Sequence, residues 1–288
     1  MNTSLLSVEG LSKDFKYFTF GTVDFHVEIG TVVALIGENG SGKSTLFRLL
    51  LNILHADEGK ITFFGEDRQV DDAQFKQSVG YAGNLLDAFP YISIKELSHM
   101  ISYWYDNWNE DRYRYFCERY AIDERMKFGR CSTGIKKKVE FILSICHNPK
   151  LLILDEPSSG VDIKSQRKMK EDIIEFMEDG TRSTIIATHS VDEITHLSDI
   201  LIVLHDGKIV NSMNKDDIYE NWARVWVSDL KESIINHTNT VDVMYDSKQI
   251  ITNHLPNLEQ MLTTENITIT HTQSLKIGEV IDYLIPQN

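Results

Sequence analysis

Residues 37–45 read Gly37-Glu38-Asn39-Gly40-Ser41-Gly42-Lys43-Ser44-Thr45, and no other stretch of the chain constrains the fold as tightly. The glycines let the backbone take positive φ angles and turn its N–H groups inward around an anion. An apolar run, Thr31–Ile36, leads in as a buried strand would, and Ser44–Ile53 leads out with helical character. That helix points the positive end of its dipole at the same anion. Lys43 is placed to set a compact charge on the β/γ-phosphates, and Ser44 to offer its hydroxyl to Mg2+. A structural turn needs none of the Gly-Lys-Ser order. The strand–loop–helix therefore implies a nucleotide-binding chain of the α/β class.

The bulk properties narrow the setting. A length of 288 residues accommodates one large domain or a domain with an appendage. No run approaches the roughly 18 uninterrupted apolar residues that span a bilayer. Met1-Asn2-Thr3-Ser4 lacks the basic start and apolar core of a signal peptide. Cys117, Cys131 and Cys146 form no C-x-x-C and cannot all pair, which suits a reducing cytosol. The histidines show no metal-ligand spacing. A formal charge of −14 argues against a nucleic-acid-binding surface and against electrostatic attachment to anionic lipid. Work at a membrane would need another protein to hold the chain there.

Along the chain, Val23, Phe25, Val27 and Ile29 alternate as in an antiparallel β layer, and a turn at Gly30 leads into the buried strand. A helical insert follows over roughly 90–149. Ser93-Ile94-Lys95-Glu96 is a capping box, with Ile94, Leu97, Ile101, Trp104 and Trp108 continuing at spacings of three and four. A second helix carries Tyr113, Phe116 and Tyr120. A third starts near Ser132, with Ile135, Val139, Ile142, Leu143 and Cys146 on one face and Pro149 as its stop. Apolar strands at Leu151–Leu154, Ser183–Thr188 and Ile200–Leu204 then alternate with helices at Ile163–Asp179 and after Ser190, and His205-Asp206-Gly207 is a hairpin turn. This alternation predicts a parallel sheet covered on both faces. From about residue 221 the composition shifts to Asn, Thr and Ile. Alternation at Val225/Val227, Val241/Val243 and Ile267/Ile269, and a last helix with Ile277, Val280, Ile281 and Leu284, predict a small α/β appendage.

Leu151-Leu152-Ile153-Leu154-Asp155-Glu156-Pro157 is the second strong signal. A buried strand that ends in adjacent carboxylates delivers charge to the edge where ligands of open α/β sheets sit. Asp155 is the candidate to hold Mg2+ through a water, and Glu156 to orient and polarise the water attacking the γ-phosphorus. His189 ends another strand, where an imidazole can hydrogen-bond the γ-phosphate. In Cys131-Ser132-Thr133-Gly134-Ile135-Lys136-Lys137-Lys138, three lysines in a first helical turn oppose the helix dipole. Read locally, this is a capped helix with a solvated basic face. Ser132 and the backbone at Gly134 also suit an anion.

In this order, the motifs resemble the ATP-binding subunit of a bacterial ABC transporter, over roughly residues 4–220. Gly37–Thr45 resembles the Walker A loop and Leu151–Glu156 the Walker B strand with its catalytic glutamate. Ser158-Ser159-Gly160-Val161-Asp162 resembles the D-loop, His189 the switch histidine and Phe15 the aromatic residue that stacks on adenine. Ser132-Thr133-Gly134-Ile135-Lys136 takes the place of the signature usually written LSGGQ, with Thr133 for a glycine and Ile135 for the glutamine. The family's Q-loop glutamine falls near Asn84, one methylene shorter, which places direct Mg2+ contact in question.

The resemblance implies a P-loop NTPase (RecA-like) core with an antiparallel β layer, an inserted α-helical subdomain and a C-terminal α/β extension over 221–288 that regulates, dimerises or only covers apolar surface. It implies ATP and Mg2+, and catalytic roles for Glu156, His189 and Lys43. Phe15, Gly37, Asn39, Gly40, Ser41, Gly42, Lys43, Ser44, Thr45, Asn84, Ser132, Gly134 and Asp162 are the implied nucleotide contacts, with Ser44 and Asp155 toward the metal. The implied partners are a separate transmembrane subunit and a second ATP-binding subunit, identical or homologous, in a head-to-tail dimer at the inner face of the cell membrane, with no nucleic acid. Asp106-Asn107-Trp108 and the Tyr-rich helix resemble the subgroup serving drug and antimicrobial-peptide export, including exporters of phenol-soluble modulins. Most aromatics over Tyr103–Tyr120 are expected in the core, Trp104, Trp108 and Phe116 among them; Tyr91, Tyr103 or Tyr105 is a candidate contact to the membrane subunit. Two other readings compete: a soluble ABC ATPase acting on a cytosolic assembly, and a non-hydrolysing nucleotide sensor, against which Glu156 and His189 argue.

Overall fold

The computed structural model describes residues 4–67 and 73–286. Its contacts divide the chain into two compact units. One runs to Ser198 and takes in Ile202–Val210; the other comprises Asp199–Leu201 and the chain from Asn211 onward.

The first unit opens with an antiparallel layer. Strands β1 (Ser4–Phe15), β2 (Phe18–Glu28), β4 (Glu58–Phe63) and β5 (Glu66–Asp67) are ordered β2-β1-β4-β5. Inward positions such as Leu6, Val8, Val23 and Val27 are buried and the residues between them are more exposed, the period-two pattern of a sheet packed on one face. Beside it lies a six-stranded sheet of β3 (Val32–Ile36), β6 (Val79–Ala82), β7 (Leu151–Asp155), β8 (Ser183–Ala187), β9 (Ile200–His205) and β10 (Lys208–Asn214). The order is β10-β9-β3-β8-β7-β6.

Strands β3, β8, β7 and β6 are mutually parallel. Every residue of β3 and β8 is buried, as is Leu151–Leu154 of β7, so the apolar runs without alternation have both faces covered. Register decides where the strands end. Leu35 pairs with Ala187, and Ala187 with Asp155. The segments leaving these three strands therefore emerge along one edge.

Helix α1 (Lys43–Leu50) follows β3 directly, and α2 (Ala73–Ser78) precedes β6. The insert between β6 and β7 holds α3 (Ile94–Ser102), α4 (Glu110–Arg119) and α5 (Thr133–Ile145). Each starts on a side-chain cap: Ser93 with Glu96 as a full capping box, Asn109, and Ser132. Tyr113, Phe116 and Tyr120 are buried as the spacing predicts. Trp104 is not. Helix α3 stops at Ser102, so the spacing of three and four no longer governs orientation there, and Trp104 is 68% exposed. Trp108 is half-buried in the turn before α4. Helix α5 likewise ends at Ile145, short of Pro149.

Helices α6 (Ile163–Met177) and α7 (Val191–Leu197) complete this unit. A buried carboxylate joins α6 to the insert. Asp172 accepts from Tyr120 Oη at 2.5 Å and pairs with Arg119 Nε at 2.9 Å. Burial pushes its carboxyl above the usual range, against the hydrogen bonds that favour its ionised form.

In the second unit, α8 (Lys215–Asn221) precedes β11 (Ala223–Val227), α9 (Glu232–Ile235), β12 (Thr240–Met244), β13 (Gln249–Thr252), α10 (Leu255–Thr264) and β14 (Ile269–Ser274). The sheet order β12-β13-β11-β14 is antiparallel throughout, the split βαβ arrangement of ferredoxin-like folds. Val225, Val227 and Ile250 pack with Ile234, Leu258 and Leu262 into its core. The predicted last helix is α11 (Ile277–Leu284), whose Glu279 pairs with Arg224 at 3.2 Å. Ile267 precedes β14 rather than lying within it.

Removing Asp172 leaves the buried Tyr120 phenol without its acceptor and the half-buried Arg119 guanidinium with Glu171 alone. Asp172→Ala is expected to lower the unfolding free energy by about 3–5 kcal/mol, read by urea denaturation; a loss below about 1 kcal/mol would match a surface pair instead.

Candidate nucleotide-binding site

The segments leaving β3 and β7 line a cavity of about 190 Å3 formed by Asn39, Gly40, Gly42, Lys43, Ser44, Thr45, Asp155 and Glu156. Two sequence signals thus meet, and the link is direct across 111 positions: Ser44 Oγ donates to Asp155 Oδ2 at 2.9 Å. Helix α1 starts at Lys43, with Gly42 as its N-cap in the left-handed region. Its first N–H groups therefore have no side-chain cap competing for them.

The loop's shape depends on absent side chains. A Cβ on Gly37, at φ +155°, would stand 2.1 Å from the Leu204 carbonyl oxygen. A Cβ on Gly40, at φ +88°, would meet nothing within 4 Å, so the backbone there borders open space. Ser41 Oγ is buried with no hydrogen-bond partner.

The Lys43 ammonium is folded back on the loop, donating to Gly37 O at 2.6 Å and Glu38 O at 3.1 Å. His189 Nε2 lies 3.3 Å from Lys43 Nζ and 3.2 Å from Glu156 Oε1. Burial lowers the Lys43 pKa against the pull of Glu156 and Asp155. Burial also raises that of Glu156 and lowers that of His189. All three shifts move toward the neutral form, the result of desolvating charges in one cleft.

Behind His189, Thr188 Oγ1 donates to the buried Glu193 carboxylate and accepts from Ser190 N at 3.0 Å. This buried contact fixes the backbone on either side of the histidine.

Other predicted residues stand outside the cavity. Phe15 is 39% exposed at the β1–β2 turn, its ring 6.2 Å from that of Phe18. Asn84 is exposed and accepts from Lys137 Nζ at 3.3 Å. Ser132 caps α5 through Ile135 N, and a Cβ on Gly134 would meet Gly160 O at 2.4 Å. Asp162 caps α6 and pairs with Lys138 at 2.8 Å.

The lysines of this segment do not form a solvated basic face. Lys136 pairs with Asp87, Lys138 with Asp162, and Lys137 is buried among polar acceptors. Lys137 lies off the apolar face predicted for α5, and the sequence marks it only by its i,i+3 spacing to Glu140.

Oxygen ligands set this close suit a hard cation such as Mg2+, which takes one or two protein ligands and completes its shell from phosphate and water. Among the described residues no group of three or more His, Cys, Asp or Glu could hold a metal unaided.

Comparison with known proteins gives the family. The sequence profile of the family described as ABC transporter matches residues 20–159. An uncharacterized ABC transporter ATP-binding protein of Methanocaldococcus jannaschii is 30% identical over 228 residues, 76% of this chain and 81% of that protein. The lantibiotic transport ATP-binding protein SrtF of Streptococcus pyogenes is 25% identical, over 75% of this chain and 96% of its own length. A sulfate/thiosulfate import ATP-binding protein of Bacillus cereus is 26% identical, over 78% of this chain and 65% of its own. Among solved structures, the ATP-binding subunit of an ABC transporter superposes with a TM-score of 0.65 at 24% identity, covering 75% of this chain and 92% of that one. A cassette solved as a dimer in a post-hydrolysis state with ADP and Pi superposes with a TM-score of 0.64 at 16% identity, covering 73% and 98%. The chain belongs to the ATP-binding proteins of ABC transporters, and its class is that of an ATPase.

The two glycines separate under substitution. Gly40→Ala should cost about 1–2 kcal/mol of stability through its φ angle alone. Gly37→Ala adds a main-chain clash worth about 1–3 kcal/mol more. Equal urea midpoints for the two variants would contradict the close approach to Leu204.

Proposed function

We propose that the chain hydrolyses ATP to drive an ABC exporter for peptides or drugs, through separate transmembrane subunits. The observation that carries the hydrolytic reading is the 2.9 Å contact between Ser44 and Asp155, with Lys43, Glu156 and His189 converging beside it. Ser44 and Asp155 would hold Mg2+, which supplies charge neutralisation on the phosphates. Lys43 exchanges the Gly37 and Glu38 carbonyls for phosphate oxygens. Glu156, made more basic by burial, orients and polarises the attacking water. His189, between Lys43 and Glu156, hydrogen-bonds the γ-phosphate.

A second ATP-binding subunit completes each site in this reading. Ser132 is exposed at the N-terminus of α5 and lies outside its own chain's cavity, as does Gly134. The positive helix end and the free approach to Ser132 suit an anion brought by a partner chain. Gly134 and Asp162 set this edge by packing on Gly160 and capping α6. Phe15, exposed beside the β1–β2 turn, is the proposed adenine contact.

A membrane partner is supported by the insert's surface. A groove of about 290 Å3 is lined by Leu85, Leu86, Ile101, Trp104 and Tyr105, and the neighbouring Tyr103 is 83% exposed. Grouped exposed aromatics mark a surface that another protein covers. No helix among the described residues is long and apolar enough to cross a membrane, so this chain would sit on the inner face through its partner. Transport of a peptide is supported by the relative named for lantibiotic transport, matched over 96% of its length; the import relative is matched over 65%.

Glu156→Gln is expected to bind ATP normally and to lose at least about 100-fold in kcat, measured by phosphate release. Wild-type turnover would remove Glu156 from the mechanism. Lys43→Ala should weaken ATP binding by about tenfold or more, followed by fluorescence of a nucleotide analogue. Purification of the tagged chain from detergent-solubilised native membranes should bring down a polytopic protein. Recovery with a soluble complex alone would overturn the transporter reading and leave the ATPase chemistry standing.

A further inference from the structure

Lys137 differs from the lysines on either side of it. Lys136 and Lys138 reach out to Asp87 and Asp162 at 2.7 and 2.8 Å. Lys137 points inward and is 8% exposed, donating to the main-chain oxygen of Asp155 at 2.8 Å and to Asn84 Oδ1 at 3.3 Å. Glu140, 3% exposed and one turn further along α5, holds Oε2 3.7 Å from the ammonium. A buried ammonium costs several kcal/mol unless it is paired and hydrogen-bonded. The shortest of these contacts goes to one particular acceptor, the Asp155 carbonyl.

That acceptor belongs to the peptide joining Asp155 to Glu156. The N–H of the same peptide, on Glu156, donates to Ala187 O at 2.9 Å. The plane is therefore held from α5 on one side and from β8 on the other. Glu156 sits at φ +51°, a left-handed conformation that costs a residue with a Cβ about 1–2 kcal/mol. Such a conformation persists only where the surroundings over-determine it. Rotating this plane relieves the strain and swings the Glu156 side chain away from its present direction. Lys137 does not line the nucleotide cavity, so it acts through this peptide and not by touching substrate.

We infer that Lys137 is a positioning residue for hydrolysis, clamping the Asp155 carbonyl so that the strained peptide keeps Glu156 aimed at the nucleotide cavity. Glu140 faces the ammonium at 3.7 Å, and burial pushes its own carboxyl up to about 7 against the pull of Lys137. The inference rests on the roles given above to Asp155 and Glu156.

The test uses the purified full-length chain, with ATP hydrolysis, ATP-analogue affinity and thermal melting read in parallel. Lys137→Met is expected to lower kcat by about 10–100-fold, the scale of an ångström-sized misplacement. Its ATP affinity should stay within about threefold of wild type, because the loop at 37–45 is untouched. Lys137→Gln, shorter and still polar, carries the same expectation and serves if Lys137→Met does not fold. In a Glu156→Gln background, Lys137→Met should change the residual rate by less than about twofold, since no carboxylate remains to be aimed. A purely structural lysine would instead lower the melting temperature and cut both backgrounds by the same factor. That result, or a folded variant with wild-type kcat, overturns the inference. A wild-type chain whose hydrolysis does not depend on Glu156 overturns the functional reading instead, so the two failures are distinguishable.

Discussion

Three parallel strands share one register, and the site depends on that alignment. Leu35, Ala187 and Asp155 lie on one line of hydrogen-bonded neighbours, so the loop after β3, the two carboxylates ending β7 and the histidine after β8 leave the sheet together. Each strand is apolar on both faces, and burial of both faces fixes its register more firmly than a half-solvated strand's. A slip by one residue in β7 would turn Asp155 to the other face and leave Ser44 without its acceptor.

Desolvation is the common electrostatic feature of the cleft. Lys43, Glu156 and His189 are each moved toward neutrality by burial, while their mutual proximity keeps the charges compensated. The loop holds the Lys43 ammonium on its own carbonyls. Buried carboxylates brace the surrounding elements: Glu193 through Thr188 next to His189, and Asp172 between α6 and the insert.

Much of this was legible because local rules and the tertiary fold agree. Ser93, Ser132 and Ser190 cap helices where the sequence places helix starts, and unbroken apolar runs became the central strands. Where a local pattern outran its element, reading failed. The spacing from Ile94 to Trp104 continues past Ser102, yet the helix does not, and Trp104 faces outward. The helices α9 and α10 and the strand β13 carry too few residues, or too mixed a composition, for periodicity to reveal them.

Sequence alone determined the class of chemistry. The Gly37–Thr45 loop and the Leu151–Glu156 strand end demand particular side chains at fixed short separations, and short separations are what a chain of letters displays. Tertiary structure decided the partners of each charge. Lys136, Lys137 and Lys138 are equivalent as letters, but two reach surface carboxylates and one is buried against the Asp155 carbonyl. That acceptor is a main-chain atom, which every residue has and no sequence pattern marks, so only the packing of α5 against β7 singles it out.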